Sequence, residues 1–124
     1  MDTIDHSLTV AERSRRTDTI AAGGADMQRF KRFIETCCKK LDLSFPDDPS
    51  FAERIAFSQK AGLGRSLAFA KATIRRALIN RQPTVSFEDA RRIWLLNGGS
   101  DGEPTPFDPG DWPEQRKLLE SRGW

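Results

Sequence analysis

The sequence predicts an all-α fold, a compact four-helix domain with an irregular N-terminal lead-in and an acidic, Pro/Gly-rich C-terminal tail. Four segments place apolar residues at the spacing of a helix, and no segment alternates apolar and polar residues as a half-buried strand does. A chain of 124 residues, 37% of them hydrophobic, can bury one modest core. We therefore expect a lead-in over residues 1–24, a helical domain over 25–97 and a tail over 98–124.

The first predicted helix covers residues 26–41. Its apolar residues cluster within roughly 140° of a helical wheel, and four basic residues lie opposite them. The apolar set comprises Met27, Phe30, Phe33, Ile34, Cys37, Cys38 and Leu41; the basic set comprises Arg29, Arg32, Lys39 and Lys40.

The second helix is predicted over residues 49–61. Asp48 can serve as its N-cap, Pro49 suits the first helical position, and Gly62 suits a left-handed residue at its end. Asp47 and Asp48 are adjacent carboxylates, but at a helix start we interpret them as capping residues. The expected inner face contains Phe51, Ile55 and Ser58.

The third and fourth helices are predicted over residues 65–81 and 87–97. Ser86 and Asp89 resemble a capping box before the fourth helix, and Gly98 with Gly99 ends it. The expected buried face of the third helix contains Leu67, Ala70, Ile74, Ala77 and Leu78. We expect Leu67, Ile74 and Trp94 to be heavily buried.

The tail differs in composition from the domain. It is rich in Gly, Pro and acidic residues, with Asp111 placed to cap a short helix over 113–120. Residues 104–113 are predicted to dock on another protein, with Phe107 and Trp112 as apolar anchors. The alternative is that this segment docks on the chain's own domain.

The sequence predicts neither an enzyme nor a metal site. It has no phosphate-binding loop, no dinucleotide fingerprint and no zinc-peptidase motif, and its one histidine, His6, lies in the lead-in. Cys37 and Cys38 are adjacent, too divergent on a helix for an unstrained disulfide, so they are interpreted as reduced core thiols. The N-terminus lacks signal-peptide order, which indicates a cytoplasmic protein.

The order of helices resembles the C-terminal helical lid of AAA+ ATPases, especially the TniB/TnsC-type ATP-binding proteins of transposition systems. The resembling pieces are Phe30, Phe33 and Ile34 before Leu41-Asp42-Leu43; Arg54-Ile55; the turn Ala61-Gly62-Leu63-Gly64-Arg65; the alanine-rich stretch 67–78; Val85-Ser86-Phe87-Glu88-Asp89-Ala90; and Pro106-Phe107-Asp108-Pro109. Two features depart from the family: the glycine turn is tighter, and the Walker-motif core is absent.

The resemblance implies a non-catalytic lid or adaptor that acts through protein contacts. Its partner would be an ATPase core, a transposase or a like subunit. In such lids a basic residue at the start of the third helix reaches the nucleotide phosphates, and Arg65 holds the matching position. ATP would then be a ligand only after joining or assembly with an ATPase core.

A small helix-turn-helix DNA-binding protein is the main alternative. Residues 1–97 hold 17 basic and 12 acidic residues, whereas residues 98–124 hold 3 and 6, so the positive charge lies in the body. Arg65, Lys71, Arg75 and Arg76 could contact DNA phosphates. The third helix offers few polar side chains for base edges, so such binding would be weak and indifferent to sequence. A small toxin, antitoxin or phage adaptor is a third interpretation.

Overall fold

The fold is all-α, as predicted. The computed structural model describes residues 20, 24–46, 48–99 and 104–124, which contain helices and no strand. The predicted lead-in therefore lies outside the described residues except for Ile20 and Gly24. The helices are α1 (Ala25–Lys40), α2 (Phe51–Ser58), α3 (Leu63–Ile79), α4 (Phe87–Leu96) and α5 (Trp112–Ser121). No helix in these ranges is long and apolar enough to cross a membrane.

Helix α3 lies at the centre and packs against α1, α2 and α4. Its buried face contains Ser66, Phe69, Ala70, Thr73, Ile74 and Ala77. This face is rotated by roughly 60° from the predicted one, at 100° per residue. The prediction for Ile74 is confirmed, since it is buried, but Leu67 and Trp94 are only partly buried and Leu78 is 43% exposed.

Two buried hydroxyl residues explain the rotation of α3. Thr73 is fully buried, and its Oγ1 donates to the Phe69 carbonyl at 2.9 Å, so its polar group is satisfied within the helix. Ser66 is equally buried. A pattern that counts only apolar residues places Ser66 and Thr73 on the surface. The predicted buried face is therefore shifted toward Leu67 and Leu78.

The ends of α2 differ from the prediction at both sides. Asp48 does not cap the helix; its Oδ1 accepts from the Ser50 N–H at 2.8 Å and the Ser50 hydroxyl at 2.6 Å, and Ser50 is the N-cap. At the other end the left-handed residues are Lys60 (φ 56°) and Ala61 (φ 59°), not Gly62. Gly62 instead precedes α3 directly, so α3 starts two residues earlier than predicted.

The predicted capping box at α4 is confirmed. Ser86 Oγ accepts from the Asp89 N–H, and the Asp89 carboxylate accepts from the Ser86 N–H at 2.8 Å. The Asp89 side chain is fully buried, and it also accepts from Gln82 Nε2 at 2.8 Å and from Arg76 in an ion pair. This carboxylate thus ties α3 and the following connector to the start of α4.

The described part of the tail belongs to the core. Asp111 caps α5 through the Glu114 N–H, which confirms the predicted short helix. Phe107 is 1% exposed and stacks on Phe69 with ring centroids 5.4 Å apart, and Trp112 is 5% exposed. The prediction that residues 104–113 form a free docking segment is therefore wrong, and docking on the chain's own domain describes the structure.

Arg54 holds this segment in place. Its side chain is fully buried, and its guanidinium donates to the main-chain carbonyls of Pro106 (3.0 Å), Asp108 (2.8 Å) and Gly110 (2.8 Å). The Nε–H donates to Ser50 Oγ at 2.8 Å. Burial lowers the pKa of Arg54, while the negative charges of Asp48, Asp108 and Asp111 act in the opposite direction.

The rotated face of α3 predicts unequal costs for two aliphatic truncations. Ile74→Ala should lower the free energy of unfolding by about 2 to 5 kcal/mol, because it leaves a cavity in the core. Leu78→Ala, on the exposed side, should change it by under about 0.5 kcal/mol. Urea unfolding followed by circular dichroism measures both, and equal losses would show that the face is misplaced.

Removing the Arg54 guanidinium should destabilise the whole fold. Arg54→Met should lower the free energy of unfolding by about 3 kcal/mol, because the buried Pro106 carbonyl loses its donor and the partly buried carbonyls of Asp108 and Gly110 lose a charged one. Arg75→Met is the matched control, since Arg75 is exposed and makes no ion pair among the described residues. A difference of less than about 0.5 kcal/mol between the two variants would contradict the role given to Arg54.

Candidate anion-binding cleft

Arg65 lies where the chain turns from α2 into α3. The two left-handed residues, Lys60 and Ala61, reverse the chain within a few residues. The Arg65 side chain folds back over Gly62, where a Cβ atom would lie 3.0 Å from Arg65 Nε and 3.2 Å from Nη2. Glycine at position 62 therefore gives the guanidinium room beside the turn.

This turn forms one wall of an open cleft of about 430 Å³. The opposite walls come from the end of α4 and from the residues after α5, which the tail brings back across α2. The lining residues are Ser58, Gln59, Lys60, Arg65, Trp94, Arg122, Gly123 and Trp124. Two cations from the α2–α3 turn and one from the residues after α5 thus line one cavity.

These cations lack acidic partners. Within the described ranges, Lys60, Arg65 and Arg122 form no ion pair, and no acidic side chain lines the cleft. Lys60 Nζ lies 5.6 Å from the centre of the Trp124 ring, a cation–π contact that leaves its charge uncompensated. The side chains that line the cleft therefore carry a net positive charge, which favours an anion.

A row of aromatic rings supports the cleft from below. Trp112 packs edge-on against Phe57, Phe57 stacks on Trp124 (5.8 Å), and Trp124 packs against Trp94 (5.0 Å). Trp124 thus contacts both Phe57 and Trp94 and forms part of the cleft wall. The aromatic row positions the segment that carries Arg122.

The four basic residues predicted to contact phosphates fall into three different settings. Arg65 lines the cleft, whereas Lys71 and Arg75 lie further along the exposed side of α3 and line a separate groove. Arg76 forms the ion pair with buried Asp89, so part of its guanidinium is engaged inside the fold. Its charge is needed inside the fold to balance that carboxylate.

Sequence reasoning did not find Lys60 and Arg122. Lys60 lies five residues before Arg65, close enough that the turn could have indicated it. Arg122 is 57 positions away from Arg65 and reaches the cleft only because the tail folds back, which no local pattern shows. The predicted anchors Phe107 and Trp112 are buried in the core and do not line this cleft.

The two cysteines are free thiols in α1. Burial, with smaller contributions from Cys37 and Glu35, raises the pKa of the Cys38 thiol to about 11. Cys38 is therefore protonated near neutral pH and a poor nucleophile. Among the residues that the structure describes, no group of three or more His, Cys, Asp or Glu side chains could hold a metal ion.

No protein-family model matches the chain, and no similar curated protein or solved structure was found. The resemblance to AAA+ lids therefore stays a prediction that depends on the quoted sequence pieces.

The settings of Arg75 and Arg76 predict different costs for the same substitution. Arg76→Ala should lower the free energy of unfolding by about 1 to 3 kcal/mol, because Asp89 loses a charged donor while staying buried. Arg75→Ala should change it by less than about 0.5 kcal/mol. Thermal and urea unfolding measure both, and a neutral Arg76→Ala would contradict the structural role of the ion pair.

Proposed function

We propose that this chain is a non-catalytic helical module that binds phosphate groups in its cleft. The observation that supports the proposal is the convergence of Lys60, Arg65 and Arg122 on one cavity without acidic side chains. Guanidinium groups donate in pairs to phosphate oxygens, and a lysine adds a compact charge. The cavity of about 430 Å³ has room for a polyphosphate chain.

The most specific form of the proposal is a lid-like role beside a nucleotide-binding partner. The chain carries no phosphate-binding loop, so the nucleotide would be held by an ATPase core in another protein, and this cleft would supply added phosphate contacts. The resemblance to TniB/TnsC-type lids supports this arrangement and a place in a cytoplasmic transposition assembly. Two free cysteines with no disulfide fit a reducing compartment.

Non-specific DNA binding is a second candidate. Arg65, Lys71 and Arg75 are exposed on α3, and the small residues Gly64 and Ala68 on the same side would let a phosphate backbone approach closely. Helix α3 itself carries no Asn or Gln to read base edges. Any such binding would be weak and would fall steeply with salt.

A titration with inorganic triphosphate, followed by amide chemical shifts of the labelled chain, tests the proposal. We expect shifts around Lys60, Arg65 and Arg122, with a dissociation constant on the order of 1 mM, because exposed ion pairs contribute only about 0 to 1 kcal/mol each. Arg65→Ala and Arg122→Ala should each weaken binding about two- to fivefold. Arg75→Ala, outside the cleft, should leave it unchanged.

The same variants separate the two candidates. If a DNA duplex binds, Arg75→Ala weakens it and Arg122→Ala does not, while triphosphate gives no shifts, the DNA candidate replaces the cleft proposal. Absence of shifts with both ligands would refute both. ATP binding by the isolated chain with a dissociation constant of about 1 μM, abolished by Arg65→Ala, would refute the accessory role and make Arg65 a principal ligand.

A further inference from the structure

A second concave surface lies between the carboxyl-terminal halves of α1 and α3. This α1–α3 groove, of about 210 Å³, is lined by Cys37, Leu41, Lys71, Ile74, Arg75 and Leu78. It shares no lining residue with the cleft that contains Arg65. An inference drawn from it therefore goes beyond the proposed phosphate site.

The groove exposes aliphatic surface. Leu41 is 42% exposed and Leu78 is 43% exposed, and Ile79, which follows Leu78 at the end of α3, is 69% exposed. Three large aliphatic side chains at one end of a small domain favour a binding surface. Covering them would remove apolar area from water at low cost, because the groove is already formed.

Cations border this apolar surface. Lys71 and Arg75 line the groove itself, and Lys40 precedes Leu41. None of these three forms an ion pair with any described residue, and Lys71 instead lies 5.9 Å from the centre of the Phe33 ring. Asp42, next to Leu41, is the carboxylate nearest in sequence to this rim. Aliphatic and positively charged side chains therefore line the same groove.

This combination selects among possible occupants. A nucleic acid would satisfy the cations but leave the aliphatic side chains uncovered, and a second copy packed groove to groove would bring Lys71 and Arg75 against like charges. An amphipathic helix with acidic flanks satisfies both requirements, since its apolar stripe would cover Leu41 and Leu78 while its carboxylates pair with the cations. A groove between two helices is a common shape for receiving a third.

We propose that the α1–α3 groove binds an acidic amphipathic helix of a partner protein. The helix would place apolar residues at positions i, i+3, i+4 and i+7 against Leu41 and Leu78, with Glu or Asp beside Lys71 and Arg75. The charges would speed encounter and set orientation, and burial of the leucines would add affinity.

Two synthetic helices of about 18 residues test this proposal, both with the same leucine stripe, one flanked by Glu and the other by Lys. Each carries a dye, and binding to the full chain is followed by fluorescence anisotropy. We expect the Glu-flanked helix to bind at least about tenfold more tightly than the Lys-flanked helix. Leu78→Asp should weaken its binding by at least about tenfold, and Lys71→Glu should reduce the preference for Glu flanks.

Leu118→Asp is the matched control, because Leu118 is 46% exposed on α5 and lies outside the groove. It should leave peptide binding unchanged, and circular dichroism should show that all variants keep their helices. Equal affinity for the two peptides, or no effect of Leu78→Asp, would overturn the proposal.

Two further probes distinguish other occupants. Leu78-dependent binding to vesicles of phosphatidylcholine and phosphatidylserine, without peptide binding, would overturn the proposal in favour of a membrane surface. Binding of duplex DNA that depends on Lys71 and not on Leu78, without peptide binding, would overturn it in favour of a phosphate contact. Arg65→Ala and Arg122→Ala should not alter peptide binding, so failure here is separable from failure of the cleft proposal.

Discussion

The buried guanidinium of Arg54 is the interaction on which the rest of the structure depends. A charge removed from water needs hydrogen-bond acceptors, and three of those for Arg54 are main-chain carbonyls of residues 106–110. These hydrogen bonds place Phe107 against Phe69 and lead the chain into α5. The aromatic residues Phe87 and Trp112 then flank the guanidinium at 4.8 and 5.1 Å. The cleft exists because this return of the tail brings Arg122 next to the α2–α3 turn.

Helix α3 serves several purposes because its sides differ. One side fills the core, and Arg76 beside it balances the buried Asp89 carboxylate. Its first turn supplies Arg65 to the cleft, and its last turns supply Lys71, Arg75 and Leu78 to the α1–α3 groove. The basic residues of α3 thus have different roles. Arg76 neutralises a buried carboxylate, whereas Arg65, Lys71 and Arg75 lie on two separate surfaces.

Much of the fold follows from local sequence signals. The parts predicted wrongly are a helix face that buries hydroxyl residues and a tail that distant contacts hold in place. Ser86 with Asp89 and Asp111 with its following turn mark the helix starts correctly, because capping involves residues a few positions apart. The face of α3 was misjudged because Thr73 satisfies its hydroxyl within the helix. The docking of the tail on its own domain was not predicted, because the composition of the tail does not show that its carbonyls accept hydrogen bonds from buried Arg54. For the cleft, the family resemblance predicts Arg65, whereas Arg122 reaches the cleft only in the folded chain.

The aromatic row beneath the cleft has a spectroscopic consequence. The chain has three tryptophans and no tyrosine, and Trp94, Trp112 and Trp124 all belong to this row. Intrinsic emission and the indole absorption bands therefore originate from one side of the molecule, where α5 docks on α2. These signals should change strongly when α5 detaches or when an anion enters beside Trp124. They should change little when a ligand covers Leu41 and Leu78.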